Sequence, residues 1–560
     1  MERKPSVYVE EITFSDGQTF IFNQKDKVIY VGPNNSGKSQ TLREIVELNA
    51  SDAITKGTVI HEIKLVKQGT QDDLVNFLLT HGTLSNDHYN YGALTIHTSW
   101  LYPWGNGSKL TYIHPMFMKN ISANDRLSIC NQQSSIRRDE PKTKPQHILY
   151  ESAALMSHIS SLFKRAFNKD IMFNFRGGSV MPIHVGKLPP PEIIDRASDE
   201  YVDYVEKNPL LDKQGDGVKS FTGILFESIV QKFDVTMIDE PEAFLHPPQM
   251  RLLGETLSSE VEGQLFVATH SSDILRGFLE GTKGNIRILR IQREGDVNVV
   301  HEIDKKAVEV LWAKPVLRYS NALDSLFHEQ VIICENDSDC RLYNYAADYL
   351  INEVDKSFPD TCFVPTGGKH AIPGIVEAIR ASGVPVKAIF DFDLISERNT
   401  INKTLDAFGC PKDEKELILD LWGQINSSVV QGFKEPDPDE FKNYLTKLID
   451  SIPAESLSKS KVEEAFKQKK PWSKVKRDGI MGLPKGNVRK VFTNFNDRLK
   501  KMGIFLVPVG EVENFCPEIG LHGPSFVEKF LAEQTLDSTD LSPLLDFVED
   551  VYSNQAKSSL

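Results

Sequence analysis

Two aspartates, Asp391 and Asp393, end the apolar run "VPVKAIFDFD" and are separated only by Phe392. On a β-strand residues two apart share a face, so these carboxylates would stand side by side and repel unless positive charge lies between them. Two further stretches end the same way. "QVIICENDSD" is an apolar strand ending at Glu335, with Asp339 in the opening turn of a helix, and "MGIFLVPVGEVENF" ends in Glu511 and Glu513. Alternating strands and helices imply a parallel sheet, whose functional groups gather beyond the carboxyl ends of its strands. Acids converging on one such edge need divalent cations, and hard oxygen ligands select Mg²⁺ or Mn²⁺. Two ions about 3.5–4 Å apart stabilise both the attacking and leaving oxygens of a phosphodiester. Any one of these carboxylates has a bland alternative as a solvated loop residue; the ordered set points to metal. "TCFVPTGGKHAIP" reads as strand, glycine turn and helix, which puts Lys369 where it would neutralise a phosphate or a transition state, although the turn by itself requires Gly367 and Gly368.

A second constellation lies in the first half. "KVIYVGPNNSGKSQTL" is a strand followed by a GxxxxGK[ST] loop, Gly32 to Ser39, and a helix opening near Lys38. In such a loop Gly32, Asn35 and Gly37 let backbone N–H groups approach phosphate oxygens, Lys38 reaches the outer phosphates, and Ser39, with Gln40 beside it, faces the bound Mg²⁺. "DVTMIDEPEAFLHPPQ" ends a strand in Asp239 and Glu240, suited to a metal-orienting aspartate and a carboxylate that activates water. "QLFVATHSSDIL" ends another strand at His270, placed to sense a γ-phosphate. Three strand ends in this order imply ATP with one Mg²⁺.

The elements that must position these residues need room. At 560 residues the chain exceeds one hydrophobic core, and two to four domains are expected. With 40% hydrophobic and 25% charged residues the composition is that of a soluble globular protein, and no stretch of about 18 apolar residues is available to span a bilayer. The start "MERKPSVYVEEITF" runs directly into an alternating strand pattern, so a cytoplasmic location without membrane attachment is expected. Six cysteines lack metal-site spacing and are expected to be free and mostly buried. The net charge of -14 argues against a surface that coats nucleic acid throughout. Locally, Lys459 to Lys501 carries 14 Lys or Arg against Glu463, Glu464, Asp478 and Asp497. Interleaved with Trp472, Phe492 and Phe495, these bases suit a groove that neutralises phosphates and stacks on bases, although a solvated helical face would also be basic.

The P-loop, "DEPEAFLHP" and His270 resemble the ABC-type ATPases, specifically the branch found in the OLD (overcoming lysogenization defect) family. That resemblance implies that Asp239 is the Walker B aspartate, Glu240 the catalytic base and His270 the switch histidine. It also implies at least a dimer, with ATP sandwiched between two heads. "QGDGVKSFTGILFESI" stands where the signature loop is expected, with Gly215, Gly217 and Ser220 as its matching residues and Asp216 departing from LSGGQ; an ordinary helix cap is the alternative. No Q-loop glutamine is identified. The second acidic set is similar to the Toprim domain: Glu335 matches its first glutamate, Asp391 and Asp393 its DxD, Glu511 and Glu513 its closing pair, and Asp339 the additional acid of OLD nucleases. Asn336 replaces the usual glycine, which puts the local turn in question.

The expected architecture is α/β, with an ATPase head over 1–313 carrying an insertion at about 50–213 and a linker at 314–328. A Toprim domain at 329–394 and 501–560 is interrupted by a helical basic insertion at 395–500. The resemblance implies an ATP-binding, metal-dependent endonuclease, with DNA the favoured substrate and about two Mg²⁺ or Mn²⁺ ions at the Toprim site. Its implied role is prokaryotic antiviral defence, like Gabija-type and retron-associated effectors, alongside a partner protein or ribonucleoprotein. A non-catalytic ATP-driven clamp on DNA and an RNA- or tRNA-cleaving nuclease are the alternatives. A primase-like polymerase shares the metal chemistry, and a topoisomerase would need a strand-passage domain for which no region is left.

Overall fold

The computed structural model describes residues 5–308 except 107 and 139, residues 323–432, six positions between 439 and 447, and residues 471–554 except 535. The chain divides into two compact units, Met1–Trp312 and Ala313–Leu560. Residues 314–322 of the expected linker and 459–470 of the basic segment lie outside the described residues.

In the first unit a six-stranded sheet runs in the order Val297–Glu302, Arg287–Glu294, Lys27–Val31, Gln264–Ala268, Val235–Asp239, Met118–Ile121. All neighbours pair in parallel except the Val297–Glu302 and Arg287–Glu294 ribbon. The central strands read as unbroken apolar runs because both faces are covered, and every residue of Gln264–Ala268 is buried. Adjacency of the three inner strands brings the P-loop, Asp239 and His270 to one edge.

The boundary expected for the insertion does not hold. Met118–Ile121 extends the main sheet beside Val235–Asp239, and Ile60–Gln68 pairs with Ser6–Phe14 in a three-stranded antiparallel sheet. Residues 50–213 therefore return twice to the head, a pairing that local periodicity does not encode. "YGALTIHTSW" supplies Leu94–His97, the last strand of a small antiparallel sheet. "KLTYIHP" has an apolar alternation but is a turn: Tyr112 takes a left-handed φ of 67° while Leu110 and Ile113 are buried.

In the second unit four parallel strands run in the order Thr361–Pro365, Gln330–Cys334, Val386–Phe390, Ile504–Leu506. One face packs Tyr343 and Ala346 of the Asp337–Asn352 helix with Phe526, Leu544 and Phe547 of the C-terminal helices. The segment between the third and fourth strands is helical where described, with Arg398–Ala407, Lys412–Gly432 and Asn487–Met502. No helix among the described residues is long and apolar enough to cross a membrane. All six cysteines are free, and all but Cys410 are buried.

The aromatic residues assigned to base stacking do not line a groove. Phe495 is fully buried and Phe492 nearly so, with the Phe492 ring 5.1 Å from that of Phe392. They form the apolar stripe by which the Asn487–Met502 helix docks, at the i and i+3 spacing of a helix face. Trp472 donates its indole N–H to Asn426 Oδ1 at 3.2 Å. Phe495→Ala is therefore expected to behave as a core truncation, costing about 3–5 kcal/mol in urea unfolding; an unchanged midpoint with weakened nucleic-acid binding would restore the stacking role.

Candidate nucleotide and metal sites

The first unit's site is a cleft of about 600 Å³ lined by Asn35, Gly37, Lys38, Ser39, Gln40, Glu240 and His270. The glycines are required by space. Gly32 has φ 137°, and a Cβ there would lie 2.1 Å from the Ile291 carbonyl oxygen; Gly37 has φ 102° and faces the Asn298 amide. Lys38 is buried, and its ammonium donates to the carbonyls of Gly32 at 2.8 Å and Pro33 at 2.7 Å. Burial lowers its pKa to about 8 against the opposing pull of Glu242, Glu240 and Asp239. The Ser39 hydroxyl donates to Asp239 Oδ1 at 2.8 Å, so two residues 200 positions apart meet where a phosphate-bound cation would sit. Gln40 turns its amide to Glu44 at 2.9 Å. Burial, then the neighbouring Lys38, lowers the His270 pKa to about 4, which keeps the imidazole neutral at physiological pH.

Two residues that the sequence reading missed frame this site. Glu242 accepts from the Thr269 hydroxyl at 2.9 Å and the His270 backbone N–H at 2.6 Å, tying the end of one strand to the turn after the other. Arg126 is completely enclosed and donates to the carbonyls of Asp239 and Glu240. Glu242 stood in "DEPEAF" as a third acid after the pair; Arg126 had no signal in the sequence.

The signature residues are placed differently from expectation. Gly215 caps the Asp216–Leu225 helix, and Gly215 and Asp216 are exposed. Ser220 is fully buried and donates to the Ala243 carbonyl at 3.2 Å, while a Cβ on Gly217 would meet the Phe244 carbonyl oxygen at 2.5 Å. The Ser220 hydroxyl is spent inside the unit, which leaves the exposed helix start for any nucleotide contact.

In the second unit the acids gather, but not as a pair on a strand face. Asp391 is the first residue beyond Val386–Phe390, and Asp393 lies in the 3₁₀ turn Phe392–Ser396. The Asp391 N–H donates to Glu335 Oε1 at 3.1 Å, and the Phe392 N–H donates to the Gly510 carbonyl at 2.9 Å with the ring fully buried. The chain turns here because Phe392 is drawn inward. Glu511 and Glu513 likewise follow the short Ile504–Leu506 strand, in and before the 3₁₀ turn Val512–Phe515. A cleft of about 680 Å³ is lined by Asp339, Asp391, Glu511, Glu513 and His522 among others. Asn336 adopts φ -131°, needs no glycine, and caps its helix jointly with Asp339, whose Oδ2 accepts the Asn336 N–H at 3.0 Å. Glu513 Oε1 accepts the Gly523 N–H at 2.7 Å.

Two lysines stand among these acids. Lys369 reaches Asp393 Oδ2 at 2.9 Å and Glu397 Oε1 at 2.7 Å. Its glycine turn is required, since Gly367 and Gly368 have positive φ and both N–H groups donate to the Glu335 carbonyl. Lys476, from the basic insertion, lies between Asp393 Oδ2 at 3.1 Å and Glu511 Oε1 at 3.3 Å. Neither Lys476 nor Glu397 was singled out from sequence; Lys476 is one of 14 bases with nothing to distinguish it. Arg477, Arg498 and Lys500 of the same segment also form ion pairs within the protein.

Negative charge still exceeds positive. Burial, then the repulsion of Glu335, Asp339, Asp393 and Glu511, raises the Asp391 pKa to about 9. Burial raises Glu335 to about 7, with Asp393 adding to the shift and the Asp391 N–H opposing it. Asp393 Oδ1 is buried without a hydrogen-bond partner among the described residues. Hard oxygen donors, surplus negative charge and an orphaned acceptor fit Mg²⁺ or Mn²⁺. No three acids among the described residues already stand at ligand spacing. Raised pKa values mean that the folded state holds these protons more tightly than the unfolded chain. Their stabilising contribution is therefore full below about pH 4 and is lost as pH rises toward 7 for Glu335 and 9 for Asp391, at about 1.4 kcal/mol per unit and group. In EDTA the Tm is expected to fall between pH 6 and 8.5; Asp391→Asn or added Mg²⁺ should flatten the slope, and an equal slope in the variant would refute this account.

Two family descriptions match the chain. Residues 189–276 match "AAA domain, putative AbiEii toxin, Type IV TA system", and residues 326–393 match "Overcoming lysogenization defect protein-like, TOPRIM domain". The chain joins an AAA ATPase domain to an OLD-like Toprim domain. The OLD-like match spans Glu335, Lys369, Asp391 and Asp393. Among curated proteins the chain is 24% identical to the Old nuclease of Escherichia phage P2 over 284 residues, 49% of this chain and 42% of that protein. It is 30% identical to the OLD nuclease of Thermus scotoductus over 206 residues, 33% of this chain and 37% of that protein. The matched segments thus span less than half the length of either relative. Among solved structures, an SMC head bound to the C-terminal winged helix of ScpA is 13% identical with a TM-score of 0.33, covering 53% of this chain and 98% of that one. The SMC head of Thermotoga maritima is 11% identical with a TM-score of 0.27, covering 54% and 100%. At those scores neither adds to the topology described above.

Proposed function

We propose that the protein is an ATP-binding, divalent-metal-dependent endonuclease acting on nucleic-acid phosphodiesters, with DNA the favoured substrate and antiviral defence the role. The observation that carries this reading is the convergence of Glu335, Asp391, Asp393 and Glu511 on one sheet edge, with Asp391 pushed up to about 9 by burial and its acidic neighbours. Glu335, Asp339, Asp391, Asp393, Glu511 and Glu513 would hold the ions. Bound divalent cations would supply activation of water and charge stabilisation of the scissile phosphate. Lys369 and Lys476, which pair with Asp393 and Glu511, would offer their ammonium groups to a substrate phosphate.

In the first unit Lys38 and the P-loop N–H groups would bind the phosphates of ATP, with Ser39 and Asp239 holding Mg²⁺. Glu240 would orient water, and neutral His270 would contact the γ-phosphate. Pairing of two heads, with the exposed start of the Asp216–Leu225 helix meeting the partner's nucleotide, is the favoured assembly. A partner protein or ribonucleoprotein is the favoured source of regulation.

The test incubates the purified protein with plasmid DNA, single-stranded DNA and RNA in Mg²⁺ or Mn²⁺, with and without ATP. Asp391→Ala is expected to reduce cleavage by at least about 100-fold, as befits loss of a metal ligand. Comparison of Lys38→Ala with wild type shows whether ATP drives or restrains cleavage. Absence of cleavage in every condition, with ATP hydrolysis stimulated by DNA, would replace the nuclease reading with the clamp; cleavage confined to RNA would change the substrate.

A further inference from the structure

Glu240 has φ 46°, a left-handed conformation that a side chain other than glycine rarely adopts unless its surroundings fix it. Its N–H donates to the Ala268 carbonyl at 2.9 Å, which anchors it to the end of the Gln264–Ala268 strand, two residues before His270. Its own carbonyl accepts from Arg126 Nη2 at 3.0 Å, and the preceding carbonyl, of Asp239, accepts from Arg126 Nη1 at 3.1 Å. Arg126 is 0% exposed and forms no ion pair among the described residues. A guanidinium is costly to bury, and here its fork is spent on two adjacent backbone oxygens instead of a carboxylate.

The helix that carries Arg126, Ala123–Ser128, is itself gripped from behind. A Cβ on Gly223 would lie 1.9 Å from the Arg126 carbonyl oxygen, so the Asp216–Leu225 helix meets this backbone at a distance only glycine allows. The same helix holds the far side of the turn, with Ser220 bonded to the Ala243 carbonyl. One helix thus braces both the arginine and the turn after Glu240.

We infer that Arg126 is a positioning residue for ATP hydrolysis: its guanidinium holds the Asp239–Glu240 backbone in the strained conformation that aims Glu240 into the cleft, and Gly223 seats Arg126 for that task. The inference rests on the ATPase reading of this site. Arg126 does not line the cleft, whereas Glu240 does, so the arginine acts through Glu240.

The experiment measures steady-state ATP turnover and binding of a fluorescent ATP analogue with the full chain, using Arg126→Lys, Gly223→Ala, Glu240→Gln and the Arg126→Lys/Glu240→Gln double variant. A lysine ammonium is a flexible point donor without the rigid planar fork of the guanidinium and holds the two carbonyls less firmly, so Arg126→Lys is expected to lose at least about 10-fold in kcat, part of what a general base contributes. KM and analogue affinity should stay within about twofold, because Lys38 and the P-loop are untouched. In the double variant turnover should be no lower than in Glu240→Gln alone. Gly223→Ala should reproduce the kcat-selective loss, and carries the test if Arg126→Lys does not fold. Unchanged kcat, a loss shared with analogue affinity, or losses that multiply in the double variant would overturn the inference while leaving the ATPase reading standing. Absence of turnover in the wild type would remove both.

Discussion

Mutual repulsion among buried and partly buried carboxylates is the constraint on which the second unit depends. Glu335, Asp391, Asp393 and Glu511 come from three strand ends of one parallel sheet, partly withdrawn from the water that would screen them. A fold selected for stability alone would not collect them. The protein compensates in part with Lys369, delivered by a glycine turn that wraps the Glu335 carbonyl, and Lys476, delivered by a segment inserted between the third and fourth strands. The remainder is expressed as raised proton affinity at Asp391 and Glu335 and an unpartnered oxygen on Asp393. A site built to take a cation would hold its need for charge in this form.

The first unit solves a different problem, that of holding loops that face phosphate. The P-loop is shaped by close approach to the Arg287–Glu294 and Val297–Glu302 ribbon, against which Gly32 and Gly37 leave no room for a side chain. Lys38 satisfies itself on the loop's own carbonyls, and Ser39 and Asp239 on each other. These contacts keep the charged groups ordered near one another. Glu242 and Arg126 then fix the two strand ends, one through the His270 N–H and the other through the carbonyls of Asp239 and Glu240.

The insertion in the second unit shows how a compositional reading divides. Its positive surplus is real, but Lys476, Arg477, Arg498 and Lys500 are engaged with acids of the protein itself. Phe492 and Phe495 are spaced as a helix face and packed as one. Aromatic residues among bases look alike in sequence whether they stack on nucleotides or on the protein's own core, because both roles require the same apolar surface.

What the sequence determined by itself was the local chemistry. The GxxxxGK[ST] spacing, Asp239, Glu240 and His270 at or just beyond strand ends, and the order Glu335, Asp391, Asp393, Glu511, Glu513 are legible because short unbroken apolar runs announce buried strands and acids at their ends have no packing role there. Parallel order in the second sheet followed from strand and helix alternation. Tertiary structure alone decided that Met118–Ile121 and Ile60–Gln68 belong to the head, that Asp391 and Asp393 turn off their strand instead of sharing its face, and that Lys476 comes to the acidic edge. It also enclosed Ser220 and set Arg126 beneath Glu240. Each of these depends on contacts between residues far apart in the chain, or on how one buried side chain such as Phe392 pulls its neighbours, and no local pattern of residues carries that information.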